Sequence, residues 1–323
     1  MKLKEYCGFH YGYDETEGYH IVPKNDVVPP STFYKYYALK NNSVDALTNL
    51  YVYAAHPKQF NDPFDCNQKL IEFDTWVDVE NLWGELFDKF KKTYSTLESA
   101  CEESNRAYWH LLYKKLGLVS LAPRCDNYQM WALYAQNNGF CLEFDVNKFP
   151  FLHYGPFLMN YTETIPGPVC IGDVGGHIAM LIQTNVKNKW WEYEDEWRLY
   201  IPNPIGFDLK YFGSEYEMSK YNRGDEHDRK FRYPVDALKS IILGPNFFDN
   251  NMIANPVSPD EIDVVSCPDI DSLELNVLDF LARITEKIEI NIKLARHSNY
   301  SHYEFIPIRI IKYTDRKFRI TNQ

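Results

Sequence analysis

The segment Trp191-Glu192-Tyr193-Glu194-Asp195-Glu196-Trp197-Arg198 holds the side chains of this chain best suited to chemistry. The apolar run Leu199-Tyr200-Ile201 follows, so the spacing predicts a strand through the whole segment. On a strand Glu194, Glu196 and Arg198 share one face, with next-but-one residues roughly 6.5–7 Å apart. Two carboxylates that close repel unless a cation, a ligand or a proton relieves them. One of them could then have a raised pKa and act as a base, while the Arg198 fork could grip a phosphate group. The alternative is a local salt bridge between Glu196 and Arg198 across the sheet. The chemical reading needs residues 194, 196 and 198 to project together into an open pocket.

Further candidates lie elsewhere. In Phe60-Asn61-Asp62-Pro63-Phe64-Asp65, Asp62 can cap a turn whose first position is Pro63, where the missing N–H costs nothing. The functional alternative has Asn61 and Asp62 closing one side of a cleft. Met130, Trp131 and Tyr134 form a ridge on a helix expected over 128–137, capped by Asp126. Such a ridge is either core or the wall of a cleft, where Tyr134 or Tyr36 could stack on a flat ring. Asp62, Asp65, Glu143, Asp145, Glu194 and Glu196 could together hold Mg²⁺ for metal-dependent cleavage of a phosphodiester. No lysine sits within the acidic pair, which counts against that nuclease reading. Nine histidines without H-x-x-x-H or H-E-x-x-H spacing, and seven widely spaced cysteines without C-x-x-C, predict neither a zinc site nor a disulfide framework. Glycine-rich phosphate loops and the G-x-S-x-G elbow are missing.

The elements expected to position these groups are of both kinds. Residues 1–30, rich in Gly, Tyr and Pro, read as an irregular lead-in, and 31–323 as a single α+β domain. Strands are expected at 32–37, 50–54, 118–121, 140–145, 238–243, 288–295 and 305–313. Helical spacing spans 75–117 as an inserted pair or broken helix, and recurs near 176–187 and at 270–284. The stretch from about 202 to 230 reads as variable.

With 45% hydrophobic and 24% charged residues the chain is globular in composition, and 323 residues suffice for a sizeable core. A net charge of −11 argues against a surface coated for phosphate binding. Basic runs with interleaved aromatics at 228–232 and 312–319 leave room for a local strand-binding groove, though such runs are more often solvated strand ends. No apolar run approaches the ~20 residues that span a bilayer, and the N-terminus lacks a secretory apolar region. A cytoplasmic protein without membrane contact is the expectation, and the unpaired cysteines suit a reducing compartment.

Tyr34-Lys35-Tyr36, the Phe60–Asp65 segment, Met130-Trp131 with Tyr134-Ala135, Gly139–Asp145, Tyr193-Glu194 with Glu196-Trp197-Arg198, and Ile241–Pro245 occur in that order. Together, from about Tyr34 to Tyr313, they resemble a widespread bacterial family long filed as a domain of unknown function. The order of an aromatic-basic-aromatic strand, a strand after a glycine turn and a late Glu-x-Glu strand also resembles the ADP-ribosyltransferase fold of toxins and abortive-infection proteins. That second resemblance implies a split mixed-sheet core with a helical insertion at about 75–117 and a C-terminal helix plus strands. It implies NAD as substrate, Glu196 steadying the oxocarbenium-like ribose as nicotinamide leaves, and Glu194 facing the acceptor. Lys35, Tyr36, Arg198, Tyr134, Asn61 and Asp62 would line the dinucleotide site. The family pattern has Arg or His where this sequence has Lys35. The implied role is a bacterial toxin or anti-phage effector that modifies a nucleic acid, single-stranded nucleic acid included, or a protein, and is held by an antitoxin or other inhibitory partner. A metal-dependent nuclease and a non-catalytic sensor or interaction module are the other two readings.

Overall fold

Cys7 and Gly8, both with positive φ (52° and 80°), make a two-residue turn that folds the chain back on itself at its start. Residues expected as an irregular lead-in therefore form a three-stranded antiparallel sheet of Lys4–Tyr6, Phe9–Asp14 and Gly18–Pro23. The composition hid an alternation that buries Tyr11, Tyr19 and Ile21. The computed structural model describes residues 3–25, 27–149, 154–202, 229–249, 251–266, 272–298 and 302–323. Nearly all of the variable stretch read at 202–230, and the expected helix start at residue 270, lie outside them.

The chain divides into two compact units that interleave along the sequence. Residues 1–29, 53–120 and 151–231 make the first; residues 30–52, 121–150 and 232–323 make the second.

The first unit combines helices with several small sheets. Its inserted helices Trp76–Trp83, Phe87–Thr93 and Leu97–Lys115 fall where helical spacing placed them. Thr75 starts the first of these with a capping box, its hydroxyl accepting from the Asp78 N–H while the Asp78 carboxylate accepts from the Thr75 N–H. The helix Gly176–Asn185 is buried from Ala179 to its end. Strand Trp197–Pro202 lies between Leu116–Leu121 and Phe157–Leu158 in a three-stranded sheet, and Val186–Asn188 pairs in parallel with Asn160–Thr162. Tyr11, Leu70, Val79, Leu118, Leu181 and Tyr200, all nearly inaccessible, lie in its core.

The second unit is built on an eight-stranded mixed sheet. Its order is Met252–Ser258, Glu261–Ser266, Lys317–Asn322, Tyr303–Thr314, Asn291–His297, Leu238–Leu243, Phe140–Asp145 and Thr32–Tyr37. Leu238–Leu243 and Asn291–His297 run parallel; the other neighbours are antiparallel. Helix Leu273–Thr285 begins on the side chain of Ser272, which accepts from the Leu275 N–H. Gly139 permits the approach of two segments, since a Cβ there would sit 1.9 Å from the Tyr37 carbonyl oxygen. The molecule is thus mixed α and β with one large mixed sheet, and among the described residues no helix is long and apolar enough to cross a membrane.

Candidate functional site: a buried charge cluster

The acidic segment is not one continuous strand. Asn188 accepts from the Trp190 N–H and starts a 3-10 helix, Lys189–Glu194, which ends at Asp195 in the left-handed region (φ 48°). Asp tolerates that conformation better than most residues because its short side chain bonds locally. The strand begins only at Trp197. Glu194 therefore comes from the 3-10 helix, Glu196 from the link and Arg198 from the strand.

Their side chains nevertheless converge, on a lysine. Lys187 Nζ lies 2.5 Å from Glu194 Oε2, 3.0 Å from Glu196 Oε2 and 3.8 Å from Asp65 Oδ2. Arg198 Nε donates to Glu196 Oε1 at 2.9 Å. Its two terminal nitrogens donate to the two oxygens of Asp65 at 2.9 and 2.8 Å, a bidentate fork. One of them also donates to the Thr184 carbonyl at 2.6 Å, tying the end of helix Gly176–Asn185 to the strand. The guanidinium packs 4.7 Å from the centre of the Phe60 ring. The Glu196 N–H donates to the Tyr161 hydroxyl oxygen at 2.9 Å.

The expectation of an open pocket is overturned: the side chains of Glu194, Glu196 and Arg198 are 5%, 4% and 0% exposed, and those of Lys187 and Asp65 are 3% and 1% exposed. Three acids meet two bases, so one formal negative charge is left over. Burial alone would push the Glu196 carboxyl up. The charges of Arg198 and Lys187, with hydrogen bonds from Arg198 and Ser120, outweigh burial and hold it far below the ordinary carboxylate range. Burial would likewise lower Lys187, but Glu196, Asp65 and Glu194 raise it well above its usual value. Arg198, also opposed by burial, is raised by Asp65 and Glu196. Both shifts favour an ionised Glu196 and a protonated Lys187 near neutral pH.

The other expected site residues do not join this cluster. Asn61 is exposed, and Asp62 does what its turn chemistry predicts: Oδ1 accepts from the Phe64 N–H at 2.9 Å. Its Oδ2 is buried without a partner. Lys35, Tyr36 and Tyr134 belong to the second unit, not to the unit holding Glu194, Glu196 and Arg198. There Tyr36 donates to the Arg124 carbonyl and meets Trp131 edge-on at 5.2 Å, while Tyr134 packs against the same core cluster. The aromatic ridge is core packing. Its helix is Tyr128–Leu133, capped by Asn127 rather than Asp126. Glu143 and Asp145 lie on a strand of the second unit, where Glu143 is bonded to Ser240 and Lys293. Among the described residues no group of three or more His, Cys, Asp or Glu side chains is placed to hold a metal ion. In the basic runs Arg229 is buried, donating to the carbonyls of Ala54 and Leu116, while Lys312, Lys317 and Arg319 are paired with Asp279, Asp315 and Asp263 at 2.7–2.9 Å.

Lys187, Thr184 and Tyr161 escaped the sequence reading, and Asp65 entered it only as one acid of a metal cluster. A usable signal existed. Arg198 stands alone among Trp197, Leu199, Tyr200 and Ile201. A lone cation in an apolar run must find a buried counter-charge. Comparison of the chain with known families, with curated proteins and with solved structures gives no match.

Proposed function

We propose that the Asp65–Lys187–Glu194–Glu196–Arg198 cluster is an internal clamp and that the chain is a non-catalytic sensor or interaction module, acting by recognition. One observation carries this reading: both oxygens of Glu196 are taken by Arg198 and Lys187 within 3.0 Å, in a site 4% exposed at that side chain. A carboxylate that is to steady a ribose cation must have a face free for the sugar. The clamp instead joins five segments: the loop at Asp65, the end of the helix at Thr184, and the residues 187, 194 and 196–198.

A second reading, an NAD-dependent ADP-ribosyltransferase acting as a toxin or anti-phage effector on a nucleic acid or protein, draws support from the ionised state of Glu196. A stabiliser of an oxocarbenium-like ribose must be ionised, and Glu194 is held on the same ammonium. On this reading the resemblance in motif order extends to a split mixed-sheet core, and Lys187 must swing away before NAD enters.

The deciding experiment is incubation of the purified chain with nicotinamide-labelled NAD, with and without cell lysate. Under the clamp reading wild-type protein releases no nicotinamide above the rate without enzyme, and Glu196→Gln lowers the melting temperature. Nicotinamide release by the wild type, lost in a folded Glu196→Gln variant, would discard the clamp reading in favour of the transferase.

A further inference from the structure

We infer that the first unit carries a second, separate site: a pocket for a small organic ammonium ion, with the Asp78 carboxylate as its counter-ion. The pocket has a volume of about 240 Å³ and lies where the helix Trp76–Trp83 meets the turn before helix Gly176–Asn185. Phe73, Leu82, Tyr108 and Ile171 give it apolar and aromatic walls, and Asp78 and Asn81 are its polar side chains. Ligands of drug size take roughly 300 Å³ or more, so this space suits something smaller.

The carboxylate is fixed and half free. Asp78 Oδ2 accepts from the Thr75 hydroxyl at 2.6 Å and from the Thr75 N–H at 3.2 Å, which locks the side chain to its own helix. Oδ1 faces Gly172, close enough that a Cβ there would sit 2.2 Å away. Glycine at 172 is what leaves room for this oxygen.

The surroundings are negative and uncompensated. Glu72, Asp74 and Asp173 lie near Asp78, and among the described residues no salt bridge joins any of the four to a Lys, Arg or His. The same carboxylates reach two thiols. Cys170 is pushed up to about 12 by its hydrogen bond to Asp74, by burial and by the charges of Asp74, Glu72 and Asp173. Cys101 is raised by burial and then by Asp74, Asp78 and Glu72. The charge that Asp78 brings to the pocket favours a cationic occupant. A bare metal ion fits poorly, since only one carboxylate lines the space and hard cations want six or more oxygens. An ammonium on a short apolar body matches this lining: its charge goes to Asp78 and its carbon chain to the side chains of Phe73, Leu82, Tyr108 and Ile171. Helix Gly176–Asn185 begins without a side-chain cap, and its positive end would favour an anion. Among the lining residues Asp78 is the one formally charged side chain, and it sets the sign of the pocket.

The test uses the full chain and three probes of one shape: n-butylammonium, n-butanol and butyrate. The expected result is saturable binding of butylammonium at millimolar concentration or below, with a rise in melting temperature, and no comparable effect of the alcohol or the acid. Asp78→Asn should weaken that binding at least tenfold. Should Asp78→Asn fail to fold because the capping box is damaged, Leu82→Trp decides: it leaves Asp78 in place, fills the pocket and should abolish binding. Equal binding of butanol, preference for butyrate, no binding of the amine, or undiminished binding in a folded variant would each overturn the site. The outcome is independent of the NAD experiment, because no residue of the clamp lines this pocket.

Discussion

Arg198 is the side chain on which the clamp turns, because it hydrogen-bonds both Asp65 and Glu196. Buried ion pairs are weak evidence for stability as wholes, yet removing one partner leaves an uncompensated charge in low dielectric. Arg198→Met should therefore lower the unfolding free energy by about 3–5 kcal/mol, read as a shift in the denaturant midpoint. A change within experimental error would mean that the cluster relaxes around the loss and is no clamp. The pH dependence has a defined sign. Glu196 has a depressed folded pKa, so its contribution is full above the unfolded value of about 4.3 and is lost as pH falls below that. Lys187 is raised, so its contribution is full below the unfolded value of about 10.4 and is lost only at higher pH. The contribution of this pair to stability should thus be flat through neutrality. The loss of stability in acid, measured by chemical denaturation, should be shallower in Glu196→Gln than in wild type.

The turn between the 3-10 helix and the strand sets how Glu194 and Glu196 both reach one ammonium. Asp195 holds φ 48°, a conformation that costs a β-branched residue about 1–2 kcal/mol. Asp195→Val should be destabilising by that amount relative to Asp195→Gly, which paired thermal melts can compare. Asn188→Ala removes the start of the 3-10 helix and should cost about 1 kcal/mol. This turn also marks where sequence reasoning ran out. Period-two alternation from Glu196 to Arg198 is real, but the Glu194 position mimics it while arising from a 3-10 turn. The elements whose pattern is set by neighbours in sequence were readable: the helical insertion, the strand after Gly139, the parallel strand Leu238–Leu243. Lys187 was not, because its meaning depends on Asp65, which is distant along the chain. Nor was the three-stranded sheet at residues 4–23, whose tyrosines carry the core face that composition alone assigned to a loop.

Two interleaved units, each with its own core, imply that damage in one should be read mainly within it. Trp131 is fully buried in the second unit, and Trp131→Ala should cost about 3–5 kcal/mol. Hydrogen exchange should then quicken chiefly in strands Phe140–Asp145 and Leu238–Leu243, whereas Arg198→Met should quicken it chiefly in helix Gly176–Asn185 and strand Leu116–Leu121. A uniform rise across both would show that the chain opens as one body. The fork between Asp65 and Arg198 joins residues 133 positions apart. A ribosome adding ~5–20 residues per second needs roughly 7–27 s to deliver the second after the first. Throughout that interval the emerging polypeptide holds an acid destined for the interior whose guanidinium has not yet been made. Closure of the first unit is therefore a late event in biosynthesis, and any nascent fragment that stops short of Trp197 leaves its acid in water, open to chaperones and proteases.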